Sequence, residues 1–64
     1  MNKYLVYDKT KMKNLIILTE SVDRALDFCE AMGYEFGRRI SGREFLYYTE
    51  VLLYPVIKLS RQDS

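Results

Sequence analysis

The chain has 64 residues, a formal net charge of +1, one cysteine and no histidine. A domain this small hides only about 60% of the surface its unfolded chain exposes, and two of the usual supports are closed to it: Cys29 has no cysteine to pair with, and the commonest zinc ligand is absent. A partner subunit is the support that remains, and the near-neutral charge gives no global pull toward nucleic acid or an acidic membrane.

The charges are unevenly placed along the chain. Lys3, Lys9, Lys11 and Lys13 stand against Asp8 at the start. Glu20, Asp23, Asp27, Glu30 and Glu35 stand against Arg24 in the middle, and Arg38, Arg39, Arg43, Lys58 and Arg61 outnumber Glu44, Glu50 and Asp63 in the remainder. An acidic middle between basic flanks is therefore expected.

In chain order, Asn2 to Asp8 is rich in aromatic and β-branched residues and runs into the polar stretch Lys9-Thr10-Lys11, which predicts a strand followed by a turn. Asn14 to Thr19 follows as a continuous apolar run without alternation, the pattern of a strand covered on both faces. The two are expected to form a hairpin. Leu15-Ile16-Ile17-Leu18 is the longest aliphatic run, far short of the roughly 20 residues that span a bilayer. With no basic-then-apolar leader at the amino terminus, no membrane partner and a cytoplasmic location are expected.

Val22 to Met32 predicts a helix. Ser21 is a suitable N-cap, Asp23 sits in the first turn where a carboxylate favours the helix dipole, and Gly33 suits a left-handed C-terminal cap. Val22, Ala25, Leu26, Cys29 and Met32 fall at the spacing of one apolar face, with Asp23, Arg24, Asp27 and Glu30 opposite. Tyr34 to Ile40 then reads as a strand with Tyr34, Phe36 and Ile40 on one side, and Ser41-Gly42 as a hairpin turn. Gly33, Gly37 and Gly42 fit a cap, a strand irregularity and a turn rather than a phosphate-binding motif.

Residues 43–59, REFLYYTEVLLYPVIKL, are apolar beyond what one face of a strand requires. Read with period two, Phe45, Tyr47, Val51, Leu53, Ile57 and Leu59 form a face that belongs under the helix, and Leu46, Tyr48, Leu52, Tyr54 and Val56 form a second one that one helix cannot cover. A competing reading makes 42–53 a helix, because Ser41 and Glu44 have capping-box spacing and Pro55 stops the pattern. The strand is preferred here for its Tyr, Phe, Thr and Val content, with Pro55 marking a break or an edge. Residues 60–64 are expected to fray.

The expected fold is thus α+β: a small, mostly antiparallel sheet of three to five strands in the order β-β-α-β-β, one helix on one face, and a homodimer joined through Leu46, Tyr48, Leu52, Tyr54 and Val56.

Catalysis has little to draw on. Cys29 lies on the apolar helix stripe with no histidine to activate it, and Asp23, Asp27 and Glu30 read as a solvated acidic face rather than a metal or acid/base site. No cofactor is expected. That acidic face could also steer toward a basic protein partner. Arg38, Arg39 and Arg43 around Ser41-Gly42, with Tyr47 and Tyr48 beyond, offer a second reading in which a dimer binds nucleic acid through an arginine-bearing hairpin. The layout of strand, strand, helix, strand around ESVDRALDFCEAMGYEFGRRI resembles small phage-encoded proteins that bind and redirect host machinery. The resemblance implies a small accessory protein of a phage or mobile element that acts by binding.

Overall fold

A computed structural model describes residues 1–59; the tail expected to fray lies outside the described residues. In chain order it contains β1 (Asn2–Asp8), β2 (Lys13–Thr19), α1 (Val22–Met32), β3 (Tyr34–Arg39), α2 (Gly42–Leu46) running directly into a π-helical turn (Tyr47–Val51), and β4 (Val56–Lys58). The strands form one mostly antiparallel sheet in the spatial order β3-β1-β2-β4, with β4 parallel to β2. The α+β class, the first hairpin and the bounds of α1 agree with expectation. The second helical segment corrects the one-helix layout.

The first hairpin closes on Asp8, a buried carboxylate whose Oδ1 accepts from the backbone N–H groups of Thr10 and Lys11 at 3.0 and 3.2 Å. An aspartate at this turn position supplies the acceptor that the reversing backbone needs. Ser21 caps α1 by accepting from the Arg24 N–H, and Gly33 ends it in the left-handed region at φ 75°. The buried side of α1 is rotated from the expected stripe. Ala25 and Cys29 are buried and Phe28 packs beside them, while Val22, Leu26 and Met32 remain largely outside. Phe28 is a better anchor because its ring meets Tyr34 edge-on, with centroids 6.0 Å apart.

Together with Tyr4, Val6, Leu15 and Ile17, these α1 residues form the core on the sheet's first face, and Ile57 and Leu59 join its margin. Ile16 and Ile40 are equally hidden but belong to the other face. For Ile16 this follows from alternation with Leu15 and Ile17. For Ile40 it follows from a bulge: the β1–β3 register shifts between Leu5 and Val6, so Arg38 stands opposite Leu5, Arg39 opposite Tyr4, and the Ile40 N–H reaches the Lys3 carbonyl. Ile40 therefore does not share a side with Tyr34 and Phe36. Gly37 occupies the bulge because a Cβ there would lie 2.5 Å from the Leu5 carbonyl oxygen.

The chain itself answers what covers the second face. β1 is antiparallel to both β2 and β3, so β2, β3 and β4 all run the same way. The β2-to-β3 connection crosses the sheet in one direction through α1, and the β3-to-β4 connection returns through α2 and the π-turn. Crossovers between parallel strands share one hand, and two of the same hand moving in opposite directions must lie on opposite faces. Side-chain contacts agree: Lys3 Nζ sits 5.7 Å from the centre of the Phe45 ring, and Asn14 donates to the Tyr54 hydroxyl at 3.3 Å. The sheet is sandwiched between α1 and the 42–54 crossover.

Candidate interaction surface

Residues 42–51 are helical because their start is capped more firmly than a turn would be. Ser41 Oγ accepts from the Glu44 N–H at 3.1 Å and Glu44 Oε1 accepts from the Ser41 N–H at 3.0 Å, a complete capping box. The expected hairpin at Ser41-Gly42 is thereby replaced by a helix start. Glu44 also receives the Arg38 guanidinium at 2.6 Å. Chiefly through that hydrogen bond, and through the one from Ser41, the Glu44 carboxyl is lowered from its ordinary 4.5 to about 2.

Beyond Leu46 the helix widens. The Leu52 N–H reaches the Tyr47 carbonyl at 3.2 Å, and Thr49 Oγ1 donates to the Phe45 carbonyl oxygen at 2.8 Å. A side chain bonding into the ladder in this way loosens and bends a helix, and single π-turns recur where a surface has work to do. The chain then turns sharply: the Tyr54 N–H closes on the Tyr48 carbonyl at 2.8 Å, and the two rings stack at 5.3 Å with 8° between their planes.

This geometry redistributes both apolar sets expected of a strand. Of the face assigned to a second copy, Leu46, Leu52 and Val56 are exposed, but Tyr48 and Tyr54 are half-buried against each other. Of the face assigned to the space under α1, Ile57 and Leu59 arrive at that core, whereas Tyr47, Val51 and Leu53 point to the outside. Helical rather than two-residue periodicity is the reason: Leu46, Tyr47 and Val51 share the side turned away from the sheet. Val51 is 63% exposed and Leu53 75%.

Leu53 adopts φ 57° and Met12, the last residue of the β1–β2 turn, adopts φ 55°, the left-handed region that favours glycine. Met12 is 77% exposed. The two flank a cleft of about 530 Å³ whose lining includes Lys13, Leu52, Tyr54 and Pro55. Strain held in two bulky, exposed apolar residues beside one cleft is the kind of outlier that accompanies a working surface. Met12 was not among the residues that periodicity singled out. The signal it carries in sequence is a lone apolar side chain within a run of lysines, Lys9-Thr10-Lys11-Met12-Lys13.

The three arginines do not converge at a hairpin tip. Arg38 lies on the second face and is neutralised by Glu44, Arg39 stands opposite Tyr4 on the first, and Arg43 is exposed in the first turn of α2. Asp23, Asp27 and Glu30 are exposed along α1 as expected. Among the described residues no three His, Cys, Asp or Glu side chains gather as a metal site would require. Cys29 is buried, and burial pushes its thiol pKa up, away from a reactive thiolate. No helix among the described residues is long and apolar enough to cross a membrane.

No known protein family, curated protein sequence or solved structure matches this chain.

Proposed function

We propose that this domain is a non-enzymatic binding module that associates with a second copy of itself through the outer side of the 42–54 crossover. The observation that carries the reading is the set Leu46, Tyr47, Val51, Leu52 and Leu53, all between 41% and 75% exposed. The same segment that hides the sheet's second face leaves these large side chains outside. Concentrated apolar surface on so small a domain marks a contact surface, tyrosine suits such contacts, and two-fold pairing is the commonest way to cover one. A regulatory role inside the cell, of the kind played by small accessory proteins of phages and mobile elements, fits a module that acts by binding alone.

Chemistry argues in the same direction. Nucleic-acid binding would draw on Arg38, whose charge Glu44 already meets.

Sedimentation velocity across the micromolar range tests the proposal. The expected result is a concentration-dependent dimer that Leu46→Glu with Val51→Glu converts to a monomer of unchanged circular dichroism. A parent chain that remains monomeric throughout would overturn it.

A further inference from the structure

One end of the sheet gathers the most outward-reaching apolar side chains of the domain. The β1–β2 turn and the loop leading into β4 meet there, because Lys13 starts β2 and the Pro55 carbonyl accepts from the Ile16 N–H at 2.9 Å. Met12 and Leu53 flank the cleft between them, and at 77% and 75% they are the most exposed large apolar residues among those described. The greatest apolar exposure therefore stands on the rim of the cleft and not on its floor. Cations accompany it. Lys9 and Lys11 lie in the same turn as Met12, Lys13 lines the cleft, and all three are exposed. The neighbouring carboxylate, Asp8, is buried and accepts from the Thr10 and Lys11 N–H groups. The one ion pair among the described residues is Arg38 with Glu44, so these lysines have no carboxylate partner there.

We propose that this end of the domain docks on an anionic lipid surface. Met12 and Leu53 enter the boundary between headgroups and acyl chains, and Lys9, Lys11 and Lys13 meet the anionic headgroups. Attachment of a peripheral domain takes two signals, apolar insertion and a basic patch, and this end carries both side by side. Lying on a membrane in this way requires no helix that crosses it. Nucleic acid would satisfy the lysines but give Met12 and Leu53 nothing to bury against. An acidic protein segment would have to bring its own pocket for these projecting side chains, whereas a lipid surface takes them without one. The contact goes beyond self-association. The crossover starts at the opposite end of the sheet, where the Ile40 N–H meets the Lys3 carbonyl, and Leu53 comes at its close. A second copy centred on Leu46 and Tyr47 leaves the Met12 end open.

Co-sedimentation of the full chain with vesicles tests the contact. In low salt the parent is expected to bind vesicles of phosphatidylserine and phosphatidylcholine but not phosphatidylcholine alone, and to release as salt rises. One variant carries Lys9→Gln, Lys11→Gln and Lys13→Gln; the other carries Met12→Gly and Leu53→Gly. Glycine suits the left-handed backbone at both positions, and circular dichroism checks that both variants fold. Each is expected to bind at least ~tenfold more weakly than the parent. A parent that does not bind phosphatidylserine-containing vesicles in low salt would overturn the proposal. So would a double glycine variant that binds like the parent, which would mark a contact with polyanions in general. Sedimentation velocity without vesicles reads self-association separately: a monomeric parent that binds vesicles refutes the pairing alone, and a dimer that ignores them refutes the lipid contact alone.

Discussion

Thr19 illustrates how a single side chain departs from the economy of the rest. It ends β2 on the α1 side, fully buried, and its hydroxyl makes no hydrogen bond among the described residues. A buried hydroxyl without a partner loses its hydration and regains nothing. Thr19→Val keeps the β-branched shape that a strand position favours and removes the unsatisfied group. The expected outcome is a gain of about 1 kcal/mol in urea unfolding at constant m-value; a loss of stability would show that the hydroxyl has a partner in solution. Leu53 departs in another sense. A left-handed, non-glycine residue costs about 1–2 kcal/mol, and here that cost supports an exposed side chain which no core contact justifies. The strain is accounted for if the side chain serves at a surface.

At the scale of elements, α2 is decided by its first turn. It is only Gly42–Leu46 before the π-turn begins, too short to persist on propensity alone, so the capping box and the Arg38 bridge on Glu44 set its start. Because the Glu44 carboxyl titrates at about 2 in the fold and at 4.5 ordinarily, the folded state favours its ionised form. That contribution is complete above pH 4.5 and is lost as pH falls toward 2. Glu44→Gln is expected to lower the melting temperature at neutral pH and to flatten its fall between these two values. An unchanged acid limb would show that the pair is fully screened by solvent, the usual fate of an exposed bridge. The same element carries conflicting signals in its sequence. β1 and β2 are legible from their β-branched, aromatic and aliphatic content and the polar turn between them, α1 from its helical period and caps, and β3 from its alternating aromatics, with Gly33 and Gly37 marking the cap and the bulge. For 42–51 the signals conflicted: Tyr, Phe, Thr and Val content favoured a strand, while Ser41 and Glu44 spelled a capped helix. Apolar residues all round also leave a surface helix no solvent face. They are reconciled by a helix that covers a sheet with Phe45 and presents Leu46, Tyr47 and Val51 on its other side. β4 was blurred for a different reason, since its parallel pairing of Ile16 with Val56 joins residues far apart in sequence, which local pattern cannot reveal.

For the whole molecule, the continuous apolar run of β2 carries the argument. A central strand without alternation needs cover on both faces, and one long helix covers only one of them, which leaves the other to a second copy or to another part of the chain. The two opposed crossovers remove that need: α1 lies over Leu15 and Ile17, and the 42–54 segment crosses the side on which Ile16 and Ile40 are buried. Any second copy then meets the outside of the crossover rather than the bare sheet. Paired substitutions along β2 test this arrangement. Ile16 and Ile17 are neighbours in sequence, both completely buried, and point to opposite faces. With both faces sealed by the same chain, Ile16→Val and Ile17→Val should each cost about 0.5–1.5 kcal/mol, the usual loss for one buried methylene. The cost at Ile16 should also be independent of protein concentration. If a second copy were the true cover of that face, the Ile16→Val loss would change with concentration while the Ile17→Val loss would not, because dimer stability is tied to mass action. Urea unfolding of both variants across a wide concentration range therefore separates cover supplied by the crossover from cover supplied by a partner, and a concentration-dependent penalty confined to Ile16 would refute the two-crossover seal.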